Sequence, residues 1–339
     1  MKKFDLITLG EVLLRLSPTG NERIAKANQL DMQIGGAELN VASAVSLLGL
    51  DTAMISKLPK NDLGTFAKNS IRYCGVSDEL ITFDDSKTAR LGTYYYESGA
   101  YPRKPSTIYD RLNSSFNQIS LNDFNHELYS CTKVFHTTGI TLALSSQARE
   151  TVIEMIKLFK ENGVIISFDV NYRSNLWTEK EARQYITKIL PYIDIFFCSK
   201  DTARLTFKKN GLMREIMKEF CAEYPISIMA STKRTVHSPK SHTFTSTIYN
   251  AKENKFYEED SYEKIDVIDR IGSGDAYIAG VLYGLLKHNM DCQKALSYGN
   301  ATSAIKNTIL GDMLCSDINE INNIIREHNN SGYISEMKR

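Results

Sequence analysis

The chain has 339 residues, enough for one large α/β domain with an elaboration or for two domains. Lys and Arg number 41 against 40 Asp and Glu, a formal net charge of +1, so there is no broad positive field to draw nucleic acid or an anionic membrane. With 42% hydrophobic and 24% charged residues the profile is that of a soluble globular protein, and any anionic substrate has to be held by a few local cations, which favours a small-molecule site.

The six cysteines (Cys74, Cys131, Cys198, Cys221, Cys292 and Cys315) form no CxxC pair and are expected as reduced, mostly buried thiols. The six histidines show no HExxH or HxxxH spacing, which argues against a metal cage of protein nitrogens. At the N-terminus an acid, Asp5, follows the lysines directly, and Glu11 and Arg15 interrupt the apolar stretch behind it. That is not a signal peptide, and no run of about 18 apolar residues follows anywhere, so a cytoplasmic protein is expected.

In chain order, residues 5–9 form a short apolar run ending at Gly10-Glu11, a buried strand feeding a turn. Residues 39–48 place apolar side chains at helical spacing and stop at Gly49. A strand near 52–58 and a helix near 62–74 follow. Strands are then expected at 134–139, 164–170, 193–198 and 226–231, with helices near 146–162, 179–190 and 201–222 between them. This alternation predicts a doubly covered parallel sheet. Residues 12–34 and 88–112 break the rhythm with β-formers and no helix, which suggests a small sheet standing off as a lid over the strand C-termini. Helices near 273–287, 291–306 and 317–328 close the domain, taken as residues 1–330, and 331–339 reads as a flexible tail.

Four segments carry chemistry. Ile271-Gly272-Ser273-Gly274-Asp275 opens a helix; its glycines let backbone amides curl around a phosphoryl oxygen at the positive end of the helix dipole. A carboxylate beside an anion hole makes sense if Asp275 takes the proton of an attacking hydroxyl; the alternative is a glycine turn with Asp275 merely opposing the dipole. Gly35-Gly36-Ala37-Glu38-Leu39-Asn40 opens another helix, where Asn40 can donate to and accept from sugar hydroxyls. Asp169, Asn171 and Arg173 end a buried strand, where open α/β sheets form their crevice. Tyr109 and Arg111, preceded by Tyr94-Tyr95-Tyr96, offer flat faces, hydroxyls and a guanidinium fork; Tyr94 and Tyr96 fall on one strand face and Tyr95 on the other. A dinucleotide fold would need GxGxxG after the first strand, which ends instead in Gly10-Glu11, and GxxxxGK[ST] is absent.

These segments, in this order, resemble the ribokinase-like (PfkB) carbohydrate kinases over roughly residues 4–328. IDRIGSGDAYIAG looks like the family's C-terminal signature and IGGAELNVASAVSLLG like its N-terminal one. GEVLLRLSP, RLGTYYYESGA, IYDRLNS, FHTTGITLALS and FDVNYRSNLW are most similar to its 2-keto-3-deoxygluconate kinases. The resemblance implies a three-layer α/β fold with a mostly parallel central sheet and a β-sheet lid. It also implies ATP with Mg²⁺ as cofactors, and phosphorylation of the sugar acid's terminal hydroxyl. By the same resemblance Asp275 is the base and Gly272, Ser273 and Gly274 the anion hole. Gly36, Ala37, Asn40, Tyr94, Tyr109, Arg111 and Arg173 contact the sugar acid, with Asp269 helping to position it, while Asn171, Ser199, Ser231 and Asn300 join Gly272 and Gly274 on the nucleotide side.

The chain departs from the family where relatives carry an Asn-x-x-Glu pattern that organises Mg²⁺, having Ser199 and Thr202 there, so no metal ligand is assigned. Arg270 replaces the usual Thr of the C-terminal signature, and Ser231-Thr232-Lys233-Arg234 lacks the commoner glycine. Related kinases pair through such lids, and a homodimer is expected. Another sugar kinase of the family, acting on fructose, ribose or 5-dehydro-2-deoxygluconate, and a catalytically silent sugar-binding regulator are the competing functions.

Overall fold

A computed structural model describes residues 2–330; the expected tail at 331–339 lies outside the described residues. In chain order the strands are β1 (Phe4–Leu9), β2 (Leu13–Pro18), β3 (Leu30–Gly35), β4 (Thr52–Pro59), β5 (Ile81–Asp84), β6 (Gly92–Glu97), β7 (Ser106–Asp110), β8 (Thr132–Thr138), β9 (Ile165–Asp169), β10 (Ile195–Phe197), β11 (Ile228–Ser238), β12 (Ser241–Asn250), β13 (Lys255–Tyr257) and β14 (Tyr262–Asp266). The helices are α1 (Ala37–Leu47), α2 (Asp62–Tyr73), α3 (Gly139–Ala143), α4 (Ser146–Glu161), α5 (Glu179–Ile189), α6 (Lys200–Phe207), α7 (Met213–Glu223), α8 (Ser273–Lys287), α9 (Cys292–Lys306) and α10 (Ile318–Asn329).

The ten-stranded sheet runs β13-β12-β11-β10-β9-β8-β1-β4-β5, with β14 also against β12. From β11 to β5 every neighbouring pair is parallel. Those strands are covered on both faces, which explains why they read as continuous apolar runs rather than alternating ones. Alternate residues feed two cores: Ile7, Phe135 and Ile166 pack with Met155, Ile156 and Phe159 of α4, while Leu6 and Val134 pack with Val41 and Val45 of α1 and Val281 and Leu282 of α8. Side-chain caps define helix starts that the pattern alone leaves vague, as where Thr178 and Glu181 close a capping box on α5.

Three expectations need correction. The single helix near 201–222 is two, α6 and α7, because Lys208 turns left-handed (φ 58) and Gly211 follows at φ 121. The strand near 226–231 runs on to Ser238 and returns as β12, an antiparallel hairpin that makes the main sheet mixed. All six cysteines are free, but only Cys198 and Cys292 are buried; Cys74, Cys131 and Cys221 are partly exposed and Cys315 is exposed.

The lid is a separate four-stranded sheet, β3-β2-β6-β7, drawn from the two stretches without helices. Its inner face carries Leu13, Tyr94 and Tyr96 against Ile271. From the same face Arg15, only 1% exposed, enters the main domain: Nη2 reaches Asp269 at 2.6 Å and Nη1 reaches Asp312 at 2.7 Å. Its guanidinium lies 4.5 Å from the Tyr96 ring centroid, and the Tyr94 hydroxyl donates to the second oxygen of Asp312 at 2.5 Å. Burial alone would pull the Arg15 pKa down; Asp312 and Asp269 more than reverse that, so the guanidinium stays charged.

Replacing Arg15 with Met would leave Asp269 and Asp312 buried without their counter-charge. Urea denaturation of Arg15→Met is expected to show a loss of about 3–5 kcal/mol, the usual result of removing one member of a buried ion cluster. A loss below about 1 kcal/mol would mean that the cluster does not hold the lid.

Candidate active site

The turn before α8 is pinned from several sides. Asp269, 1% exposed, accepts from the amides of Ile271 (3.0 Å) and Gly311 (3.1 Å) as well as from Arg15. Its carbonyl accepts from Lys306, a fully buried lysine whose ammonium also reaches the Ile309 carbonyl at 3.0 Å. Gly272 takes φ 78, and a Cβ there would overlap the Asp312 carbonyl oxygen. These contacts hold open the N-terminus of α8. Nothing lies within 4 Å of a Cβ built on Gly274. Among the described residues, no hydrogen-bond partner takes the amide N–H of Gly274 or Asp275. Two orphan donors at the positive end of a fifteen-residue helix form an anion seat.

Asp275 stands beside that seat in the first turn of α8, accepting from the Asn40 side-chain amide at 2.7 Å. Burial lifts its pKa to about 7; Asn40 and Arg173 oppose the rise, while Glu38 and Asp312 add to it. A carboxylate that exchanges its proton near neutrality is suited to general-base work. Asn40 comes from α1, which starts at Gly36 with φ 141, where a side chain would run into the Glu11 carbonyl. The Asn40 carbonyl oxygen is buried without a partner, free to receive a donor. Ala37, partly exposed, is the first residue of that helix.

Asp169 ends β9, and its pKa also rises to about 7, chiefly through burial and then through Asp275. Asn171 bends the chain away with φ 35, its amide donating to Asp169 at 3.2 Å. Arg173 is exposed and pairs with no carboxylate among the described residues, yet its field reaches both Asp169 and Asp275.

On the lid edge Tyr109 is 41% exposed, 5.7 Å beneath the Arg111 guanidinium and 5.8 Å from the Tyr94 ring. Tyr109 and Arg111, with Asn117, Leu144, Asn175 and Leu176, line a cleft of about 390 Å³. Arg111 differs from the free fork that was expected: Nε and Nη2 are bonded to Glu11, which also accepts from Ser114. Tyr94 is 4% exposed with its hydroxyl engaged by Asp312, and Asp269 is turned into the Arg15 cluster. Neither offers a free polar atom to a sugar; both brace residues that stand closer to the opening.

The nucleotide-side expectations fare unevenly. Asn300 is 0% exposed, accepting from Ser246 and donating to Glu259, so it lies under the surface and does not line the crevice. Ser231 sits within β11, its buried hydroxyl unpartnered. Ser199 caps α6 and donates to Thr202, a hydroxyl pair where a metal-organising acid would be needed. No group of three His, Cys, Asp or Glu among the described residues could hold a metal ion.

Residues missed from the sequence cluster around the same centre. Glu38, fully buried, accepts from Thr138 and from Thr141, and its pKa is raised by burial. Glu11, Arg15, Lys306 and Asp312 complete the support. Asp312 follows a glycine in Leu310-Gly311-Asp312, the one cue available, whereas a lysine within a helix carries none.

The description "pfkB family carbohydrate kinase" matches residues 3–319. A 2-dehydro-3-deoxygalactonokinase of Haloferax volcanii is 33% identical over 95% of this chain and 96% of its own length. The crystal structure of a 2-dehydro-3-deoxygluconokinase from Thermotoga maritima superposes with a TM-score of 0.90 at 30% identity, over 95% of this chain and 99% of its own. A PfkB family carbohydrate kinase from Listeria grayi gives 0.89 at 33%, with the same coverage. With the lid, the mostly parallel sheet and the open turn before α8 in place, this chain belongs to the pfkB family of carbohydrate kinases and has the ribokinase-like α/β fold.

Proposed function

We propose that the protein transfers the γ-phosphoryl group of ATP to the terminal hydroxyl of 2-keto-3-deoxygluconate, giving 2-keto-3-deoxy-6-phosphogluconate and ADP. The observation that carries this reading is Asp275, poised near neutral pH beside two unoccupied amide donors at the start of α8. The names of the Haloferax and Thermotoga relatives support a 2-keto-3-deoxy sugar acid over a neutral sugar, and gluconate over its galactonate epimer is our choice between them.

In this reading Asp275 takes the proton as the hydroxyl oxygen bonds to the γ-phosphorus. The bond from that phosphorus to the β,γ-bridging oxygen breaks, and ADP leaves with the electron pair. The amides of Gly274 and Asp275, held in place by Gly272 and Ser273, stabilise the charge on the transferring group. Asn40 orients Asp275 and, through its free carbonyl oxygen, a sugar hydroxyl. Gly36 and Ala37 let the sugar approach the start of α1, and Tyr109 packs on its carbon face. Arg173, without a carboxylate partner among the described residues, is the better candidate for the substrate carboxylate; Arg111 offers only what Glu11 leaves free. ATP lies toward Asn171, Ser199 and Ser231. Mg²⁺ travels with ATP in many kinases, but the residues here do not fit a protein-held ion, and no step is assigned to it.

In a coupled ADP-release assay, Asp275→Asn is expected to lower kcat by about 10²–10⁴ while leaving KM for the sugar acid within a few-fold. Wild-type kcat/KM is expected to fall tenfold per pH unit below about 7, because the base must be deprotonated to act. An acid limb below pH 5, or full activity in Asp275→Asn, would remove Asp275 from the role of base.

Across sugar acids and neutral ketoses, Arg173→Ala should raise KM for the acids at least tenfold and leave neutral sugars little changed, with Arg111→Ala giving a smaller effect. Equal losses on both classes would end the sugar-acid assignment, and sugar binding without any turnover would favour the silent regulator.

The lid leaves β7 exposed along its length, with Ile108 54% exposed, and Met32 of β3 (48%) and Leu112 just after β7 (72%) are exposed too. Such an apolar face favours a homodimer joined lid to lid. Light scattering is expected to give twice the chain mass, and Ile108→Lys the mass of one chain; a monomeric wild type would contradict it.

A further inference from the structure

Between the lid and the β11–β12 hairpin lies a second, larger cavity of about 950 Å³. None of Gly36, Asn40, Tyr109, Arg111, Arg173 and Asp275 lines it. The Arg15–Asp269–Asp312 cluster stands at its inner end, reached through Arg15.

Its lining holds four cations, Arg15, Lys104, Lys240 and Arg270, and two imidazoles, His237 and His242, against the two acids Asp31 and Asp266. Arg15 is already neutralised by Asp269 and Asp312. Lys104, Lys240 and Arg270 join no ion pair among the described residues. Two buried nitrogens also lack partners here: the Nε donor of Arg270, and Nδ1 of His242, a side chain only 2% exposed. A buried donor without a partner costs about 1–3 kcal/mol, which an acceptor entering the cavity would offset. The frustration shows in His242, whose pKa falls to about 4 through burial and then through Arg234, Arg270 and His237. An anion would reverse each of the charge effects.

Apolar side chains share the solvent-facing walls with the exposed Lys104 and Lys240. Val236 is 54%, Ile268 62% and Leu310 58% exposed, and all three line this cavity, with Tyr101 (83%) at its rim. Free cations side by side with exposed apolar side chains fit a small molecule with a multiply charged head and a short carbon skeleton.

We propose that this cavity is a second ligand site, which takes a small organic polyanion with its charged head at Arg270 and His242 and its carbon skeleton against Val236, Ile268 and Leu310. Arg270 lies two residues before Gly272 and its carbonyl accepts from the Ser273 amide, so occupancy is felt at the turn that opens α8. The ligand is therefore a modulator of the kinase site, held outside it.

Phosphorylated and polycarboxylate metabolites share the required chemistry, and the probes are inorganic pyrophosphate and citrate. Each is titrated calorimetrically into the full chain with a non-hydrolysable ATP analogue in excess, which keeps pyrophosphate from the nucleotide site. Binding of one probe per chain is expected, and the tighter of the two identifies the head group. His242→Leu should weaken it at least tenfold and Lys240→Ala about threefold, whereas Asp275→Asn should leave it unchanged. No binding of either probe would overturn the proposal. So would unchanged affinity in a His242→Leu protein that melts like wild type, or loss of binding in Asp275→Asn, which would return the anion to the kinase site. If His242→Leu does not fold, Lys240→Ala decides: it lies at the exposed hairpin tip, and an affinity equal to wild type would sink the site.

Discussion

One guanidinium shared between two buried carboxylates sets the geometry of everything near the reaction centre. Arg15 belongs to β2 of the lid, Asp269 to the turn before α8, and Asp312 to the loop after α9. A buried ion cluster is weak evidence for net stability, because desolvation takes back most of the attraction. Its value here is positional. Tyr94 ties a second lid strand to Asp312, and Lys306 ties the carbonyl of Asp269 to that of Ile309. Lid and helix terminus thereby keep a fixed relation, which transition-state stabilisation by prearranged dipoles requires.

The same neighbourhood gathers more negative charge than it can neutralise. Glu38, Asp169 and Asp275 lie close enough to feel one another, with Arg173 as the counter-charge common to the two aspartates. Both aspartates hold their protons up to about pH 7, whereas the unfolded chain releases them in the ordinary carboxylate range. The folded state thus binds more protons between about pH 4 and 7, and folding stability declines over that interval. A carboxylate that exchanges its proton near neutrality is obtained at the expense of stability, a common arrangement at functional sites.

Much of the scaffold was legible because burial on both faces leaves a plain mark. Strands such as β8 and β9 appear as apolar runs, and the glycines at 272 and 36 are where only a glycine could sit. The β11–β12 hairpin escaped notice because its residues are half polar and carry no glycine at the turn, which is made by Pro239-Lys240. The break between α6 and α7 depends on a left-handed lysine, which no periodicity reveals. In the site, residues such as Asn40, Arg173 and Asp275 were singled out because their types announce their chemistry. Those that brace it were not: Glu11 neutralises Arg111 from a hundred residues away, and Lys306 looks like any helical lysine. Asn300 erred in the opposite sense, a polar residue whose partners, Ser246 and Glu259, are internal. Pairings between distant segments are a property of the fold and leave no local trace.

The lid's strand order has a bearing on how the chain reaches this state. Its central pair, β2 with β6, is parallel, and the chain between them must first lay down β3, α1, β4, α2 and β5. A contact that closes so long a loop is slow to form, because the entropy of closure precedes the reward of pairing. The hairpins β2–β3 and β6–β7 can form early, each from neighbouring residues. They can join only after the main sheet has brought their ends together. The roof of the kinase cleft thus rests on the pairing with the largest closure cost in the lid, β2 with β6, flanked by two hairpins of low cost.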